Sequence, residues 1–120
     1  MILLIEDEPA LQEVTCEYLR ALGHTVLVAS SGEQALEIAA QQNEKLSLVI
    51  TDISLPGIGG REVVERLRAL EPLLKVIYIS GFAEESAKLH QVAEATSIYL
   101  QKPFSLRSLG EKIRQLFDEA

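Results

Sequence analysis

Three acidic residues in the sequence stand where they could share one metal ion. Glu6 and Asp7 directly follow the aliphatic run "ILLI", and Asp52 follows the run "LVIT". If these carboxylates come together, each raises the pKa of the others unless a positive charge lies between them. Magnesium prefers a few carboxylates together with water and phosphate oxygens, so the three acids predict a Mg²⁺ site.

Two further side chains have the chemistry to handle a phosphoryl group at such a site. Lys102, after the run "SIYLQ", supplies a point positive charge suited to a phosphoryl oxygen. Ser80, at the end of "KVIYIS", supplies a hydroxyl that can hydrogen-bond another phosphoryl oxygen. Asp52 is placed to act as a carboxylate nucleophile that accepts the group in line. The set predicts phosphoryl transfer to an aspartate.

Five short apolar runs must position these residues. Each run is short enough to be a strand, and near-continuous apolarity is typical of strands that are buried on both faces. The runs are "ILLI", "TVLVA", "SLVIT", "KVIYIS" and "SIYLQ", and a helical pattern follows each of them. This alternation predicts an α/β fold of (βα)5 type, with a doubly wound five-stranded parallel sheet and helices on both faces. Such sheets bind ligands outside the carboxyl ends of their strands, where all the candidate residues lie.

The helix predictions rest on apolar spacing and on end signals. The first helix is expected over residues 9–22 with Gly23 as its C-terminal cap, and Ser30 with Glu33 resembles a capping box that opens the second. A third helix should end before Pro72, and a fourth is predicted near residues 84–95 from a weak stripe. The stripes of the first, third and fifth helices are Leu11, Val14, Tyr18 and Leu22; Val63, Val64, Leu67 and Leu70; and Leu106, Leu109, Ile113, Leu116 and Phe117.

The composition and net charge of the chain argue against some classes of binding partner. The chain has 120 residues, which predicts a single domain over residues 1–120. Its 18 acidic and 11 basic residues give a net charge of −7, so neither nucleic acid nor an anionic membrane surface is expected to bind it directly. The single cysteine, Cys16, cannot form an internal disulfide and is expected to be a packed thiol. We therefore expect a cytoplasmic domain.

The candidate residues taken together resemble the receiver domains of two-component response regulators, over essentially the whole chain. The matching positions are the acidic pair after the first strand, the aspartate after the third, the residues four and eight beyond it, the switch hydroxyl, the switch aromatic and a lysine followed by proline. In this sequence they are Glu6, Asp7, Asp52, Pro56, Gly60, Ser80, Tyr99, Lys102 and Pro103. The resemblance implies a flavodoxin-like strand order of 2-1-3-4-5. It also implies that the backbone carbonyl of Ser54 joins Glu6, Asp7 and Asp52 as a Mg²⁺ ligand.

The resemblance implies a regulatory role rather than that of an enzyme with a separate substrate. A histidine kinase or a histidine phosphotransfer domain would donate a phosphoryl group to Asp52, and the domain would carry its own self-phosphorylation and self-dephosphorylation chemistry. Ser80 would then move toward the phosphoryl oxygens and Tyr99 would turn inward. The signal would pass to an output domain or downstream protein through the face formed by the fourth helix, the fifth strand and the fifth helix. The parent protein could be a hybrid histidine kinase, a single-domain regulator or a regulator with an effector domain.

Three rival functions fit the residues poorly. A flavin-binding relative would need a neutral loop rich in hydroxyls and glycines after the first strand, whereas "EDEP" would repel a phosphate. The stretch "PGIGGRE" lacks both the G-x-G-x-x-G register and the lysine of a P-loop. A haloacid-type phosphatase would need a second aspartate where Pro9 stands. One alternative stays open, which is a receiver-like interaction module that works without phosphorylation.

Overall fold

The computed structural model describes residues 1–81 and 97–118, and the helix predicted near residues 84–95 lies outside them. The described strands and helices alternate from β1 to β4, and β5 and α4 follow. Their bounds are β1 (Ile2–Ile5), α1 (Pro9–Ala21), β2 (Val26–Ala29), α2 (Gly32–Gln41), β3 (Leu48–Asp52), α3 (Gly60–Leu70), β4 (Lys75–Ser80), β5 (Ser97–Gln101) and α4 (Leu106–Asp118). Among these helices, none combines the length and the apolarity needed to cross a membrane.

The five strands form one parallel sheet in the order β2-β1-β3-β4-β5. This confirms the predicted doubly wound fold and its 2-1-3-4-5 order. Ile5 pairs with Thr51, so the next residues along the two strands, Glu6 and Asp52, come side by side. Ser80 pairs with Gln101, which places Lys102 just beyond that pair. The register therefore collects the candidate residues at one edge of the sheet, here called the carboxyl edge.

Two layers of helices cover the sheet because successive strand residues point to opposite faces. Ile2 and Leu4 face α1 and α4, whereas Leu3 and Ile5 face α2 and α3. The first cluster contains Ile2, Leu4, Cys16, Leu19, Val26, Leu48, Ile50, Ile77, Ile79, Leu109, Ile113 and Leu116. The second contains Leu3, Ile5, Ala29, Ala35, Val49, Leu55, Val63, Val64, Leu67, Leu74, Val76 and Tyr78. Strands β1, β3 and β4 are buried on both faces over almost their whole length, as the apolar runs predict. Strands β2 and β5, at the two sides of the sheet, are only partly buried.

The buried face of α1 differs from the predicted stripe. Thr15, Cys16 and Leu19 are buried against the sheet, whereas Val14 is 49% and Leu22 is 51% exposed. Helix α1 has apolar residues around most of its circumference, so spacing alone did not identify the side that meets the strands. Cys16 is a packed thiol, as expected, and Gly23 has the positive φ of 99° that a C-terminal cap uses.

The start of α2 and the ends of two stripes also differ from prediction. The N-cap is Ser31 rather than Ser30, because the Ser31 hydroxyl accepts the Gln34 N–H at 3.1 Å while the Gln34 side chain accepts the Ser30 N–H at 2.6 Å. This arrangement is a variant of the capping box that lies one residue later than predicted, with the Gln34 side chain bonded to the residue before the N-cap. Glu33 is not part of it and bonds elsewhere. The last members of the third and fifth stripes are more exposed than predicted: Leu70 is 76% and Phe117 is 37% exposed.

The loops at the opposite edge, over residues 22–25, 42–47 and 71–74, contain none of the predicted site residues. Ser47 donates its backbone N–H to the Met1 carbonyl at 2.9 Å. The Lys75 ammonium donates to the Leu116 carbonyl and lies 4.5 Å from the centre of the Phe117 ring. The first contact joins the residues that precede β3 and β1, and the Lys75 contacts join the beginning of β4 to the end of α4.

Gly60 lies where α3 begins, against the end of β3. A Cβ atom at this position would overlap the Asp52 carbonyl oxygen and lie 2.9 Å from the Thr51 hydroxyl. We expect Gly60→Ala to lower the free energy of unfolding by about 2 kcal/mol, because a backbone oxygen cannot move aside cheaply. Urea unfolding followed by circular dichroism would measure this loss.

Gly59→Ala is the matched control for this prediction. Its Cβ would make an ordinary 3.5 Å contact with the Ile53 carbonyl, and its φ of −73° suits any residue. The control should lose less than about 1 kcal/mol, which is the usual cost of an alanine at an N-cap. Equal losses in the two variants would show that the close approach at Gly60 does not limit stability.

Candidate metal and phosphoryl site

Three carboxylates meet at the carboxyl edge. One oxygen from each of Glu6, Asp7 and Asp52 lies within 4.8 Å of the others. Glu6 is 4% and Asp52 is 7% exposed, whereas Asp7 is exposed. The strand register therefore brings together the acids that the sequence singled out. Two buried carboxylates beside an exposed one suit a hard cation that also binds water or phosphate oxygens on the side that faces solvent.

Gln12, on the first turns of α1, fixes the backbone around Glu6. Its side-chain amide donates to the Glu6 carbonyl at 3.0 Å and to the Ala29 carbonyl at 3.2 Å. The Glu6 N–H donates to the same Ala29 carbonyl at 3.0 Å. Sequence reasoning missed Gln12, because nothing in a helix pattern shows that a polar side chain reaches two strand ends.

Lys102 joins the cluster from the end of β5. Its ammonium nitrogen is 2.7 Å from Asp52 Oδ2 and 3.6 Å from Glu6 Oε1. Burial alone would lower the pKa of Lys102, but the hydrogen bond and charge of Asp52, together with Glu6, outweigh burial and raise it. Lys102 therefore carries a full positive charge at neutral pH.

The surroundings of Glu6 disfavour the ionised form of its carboxyl group. Burial raises the pKa of Glu6; Lys102 lowers it in part, and Asp7 and Asp52 raise it further. Its Oε2 atom is buried and has no hydrogen-bond partner within the described part of the chain. Because the raised pKa means that the folded state favours protonated Glu6, the ionised carboxylate opposes folding. A cation bound between the acids would remove this cost, so the residues present fit a Mg²⁺ ion.

Backbone hydrogen bonds hold the rest of the site. Asp52 Oδ1 accepts the Ser54 N–H at 3.0 Å, so contacts fix both carboxylate oxygens of Asp52. Ser80 is 1% exposed, and its carbonyl accepts the Lys102 N–H at 2.8 Å. The Ile53 N–H donates to the Ile79 carbonyl at 3.0 Å. The ends of β3, β4 and β5 are thus fixed relative to one another.

Residues 2–114 match the family model described as the response regulator receiver domain. The chain belongs to the response regulator receiver family. It is 33% identical over 118 residues to the sensor kinase CckA of Brucella abortus, covering 98% of this chain and 12% of the kinase. It is also 33% identical to the response regulator receiver protein CpdR of the same organism, covering 96% of this chain and 94% of CpdR.

A solved structure agrees with this assignment. The response regulator protein TrrA of Thermotoga maritima, in complex with Mg(2+)-BeF, superposes with a TM-score of 0.80 at 33% identity, with 96% of each chain covered. The receiver chain spans less than half the length of several curated relatives that it matches, from 12% of CckA to 48% of a probable transcriptional regulatory protein of Mycobacterium tuberculosis. The receiver resemblance and the fold are confirmed.

Tyr99, the aromatic residue of the receiver pattern, packs on the face of the sheet covered by α2 and α3. The ring of Tyr99 is half-buried and stacks on that of Tyr78, with 5.3 Å between centroids and 11° between planes. Tyr99 and Ser80 lie on adjacent strands, β5 and β4. Ser80 and Tyr99 of this receiver domain therefore lie on paired strands, and the switching role remains a prediction.

Proposed function

We propose that residues 1–120 form one phospho-accepting receiver domain. It takes a phosphoryl group onto Asp52 from a phosphohistidine of a histidine kinase or a histidine phosphotransfer domain. The observation that supports this most directly is the Asp52 carboxylate, which is 7% exposed, lies close to two other acids and is 2.7 Å from the Lys102 ammonium. A buried carboxylate with a fixed cation on one side and an exposed acid on the other suits attack on phosphorus.

The transfer forms one bond and breaks one. A carboxylate oxygen of Asp52 bonds to phosphorus, and the bond from phosphorus to the donor imidazole nitrogen breaks. The electron pair stays on that nitrogen, and the imidazole leaves as a neutral ring when its other nitrogen carries a proton. Lys102 exchanges its 2.7 Å contact with Asp52 for a phosphoryl oxygen, and the Ser80 hydroxyl bonds another.

Glu6, Asp7, Asp52 and the backbone carbonyl of Ser54 would hold Mg²⁺ at this site. When bound, the ion neutralises the acids and stabilises negative charge on the phosphoryl oxygens. Glu6 is longer than aspartate and would serve as a ligand through water. Glu6 Oε2 supports this assignment, because it has no hydrogen-bond partner among the described residues and a cation held at the site would supply one through its water.

Phosphorylation would bias a two-state equilibrium of the domain. Ser80 would move toward the phosphoryl group, and Tyr99 would turn further inward. The output surface would include β5 and α4 together with the helix predicted near residues 84–95. The 12% coverage of CckA and the 94% coverage of CpdR support two settings for the domain, as the receiver part of a hybrid kinase or larger regulator, or as nearly a whole protein.

Intact mass spectrometry after incubation with acetyl phosphate tests this proposal. The native chain should gain one phosphoryl group in the presence of Mg²⁺ and none in EDTA, because three clustered acids repel the donor unless a cation neutralises them. Beryllofluoride should bind under the same Mg²⁺ condition. Absence of both the mass gain and beryllofluoride binding would favour the interaction module that works without phosphorylation.

A further inference from the structure

The loop between β3 and α3, residues 53–59, carries the backbone next to Asp52. At its beginning, Ser54 donates its N–H to Asp52 Oδ1 at 3.0 Å. At its end, Gly60 donates its N–H to the Ile53 carbonyl at 3.2 Å. Leu55, next to Ser54, is buried in the second core cluster, and Ile58 packs against the same cluster near the end of the loop. The polar backbone between Leu55 and Gly60 needs partners on other elements.

Glu33, in the first turn of α2, makes such a contact. Its Oε1 atom accepts the Ile58 N–H at 2.8 Å, across 25 residues of sequence. The Ser31 and Gln34 capping box fixes the turn from which Glu33 projects. Glu33 therefore acts from a backbone position that is already constrained.

The loop and the start of α2 approach each other closely around this hydrogen bond. Gly57 has a positive φ of 78°, and a Cβ atom there would lie 2.6 Å from Glu33 Oε1. A Cβ atom at Gly32 would lie 2.6 Å from the Ile58 side chain and 2.6 Å from that of Val63. The missing side chains at Gly57 and Gly32 let the loop and the start of α2 come together.

We propose that Glu33 is a positioning residue for the metal site. By holding Ile58, it restrains the loop that contains Ser54 and keeps the Ser54 backbone in place beside Asp52. This inference rests on the proposed function, because Ser54 is assigned as a ligand there. Loss of the Glu33 contact would leave the acids in place and loosen one ligand, so it should weaken Mg²⁺ binding rather than abolish it.

Calorimetric Mg²⁺ titration of four chains tests the inference. Glu33→Ala should weaken Mg²⁺ binding by about threefold to tenfold, which is less than the roughly 10- to 100-fold effect of a group that orients a metal ligand directly, because Glu33 acts through the loop. Glu33→Gln keeps an acceptor oxygen and should stay within about twofold of the native chain. Glu37→Ala, an exposed acid one turn further along α2, removes the same charge and should bind as the native chain does.

Amide hydrogen exchange supplies a second readout that does not depend on the metal. In EDTA, the Ile58 N–H should exchange faster in Glu33→Ala than in the native chain, in Glu33→Gln or in Glu37→Ala. Equal Mg²⁺ affinities in the native chain and Glu33→Ala, or an equal loss in Glu37→Ala, would overturn the inference. Failure of the native chain itself to bind Mg²⁺ would instead overturn the proposed metal site.

Discussion

Asp52→Asn is expected to abolish phosphorylation by acetyl phosphate. The asparagine amide keeps the size of the side chain, but it lacks the negatively charged oxygen that must bond to phosphorus. Asp52 is the acid that contacts Lys102 most closely, at 2.7 Å, and one of its oxygens also accepts the Ser54 N–H. Neither Glu6 nor Asp7 has both of these contacts among the hydrogen bonds and ion pairs described, so neither should replace it. Intact mass after incubation with Mg²⁺ and acetyl phosphate measures the effect.

Glu8→Gln is the matched control, since Glu8 is an exposed acid that directly follows Asp7 in sequence but is not a member of the cluster. It removes one negative charge, as Asp52→Asn does, and should still gain one phosphoryl group. Circular dichroism should show that both variants are folded. A phosphoryl group on Asp52→Asn would place the acceptor elsewhere, and peptide mass spectrometry would then locate it.

Lys102→Met should slow phosphorylation by about a hundredfold, the usual cost of removing one preorganised donor to developing charge. Mg²⁺ affinity should be maintained or increased, because the removed ammonium lies 2.7 Å from Asp52 and 3.6 Å from Glu6 and competes for them. In EDTA the variant should lose about 2 kcal/mol of stability, which is less than for a fully buried pair because the lysine side chain is 30% exposed. Initial rates by mass spectrometry, Mg²⁺ calorimetry and urea unfolding measure the three effects.

Lys45→Met is the control for this second prediction. Lys45 is exposed in the loop between α2 and β3, at the edge opposite the acids. The control loses the same charge and should match the native chain in rate, Mg²⁺ affinity and stability. If Lys102→Met is phosphorylated at the native rate, Lys102 takes no part in the transfer step. If the variant instead loses affinity for Mg²⁺, Lys102 has a structural role in forming the metal site.

The position of the candidate site was largely predictable because each of its side chains lies at the last residue of a strand or within two residues after it. Once the strands are known to be parallel, Glu6, Asp52 and Lys102 must come to the same edge whatever the loops do. The sequence also contains the apolar runs that define the strands. Short-range pattern and topology together were therefore enough to bring distant residues to one place.

Other features depend on contacts that no local pattern contains. The capping interpretation used Glu33 within its own helix, whereas Ile58, its actual partner, lies 25 residues away. On α1, Thr15 faces the sheet and Val14 faces solvent, although valine is the more apolar residue. The packing of the strands and of α4 against α1 determines which side of α1 is buried, and the spacing of apolar residues within α1 does not show this.

The separation of the two edges has a consequence for engineering. Residues 43–45 are exposed and lie in a loop at the edge away from the acids. Exposed loop tips of this kind tolerate insertions and new chain ends best. A fluorescent domain or a circular permutation placed there would leave Glu6, Asp52 and Lys102 on their own strand ends. The chain can thus be rebuilt at one edge without redesigning the chemistry at the other.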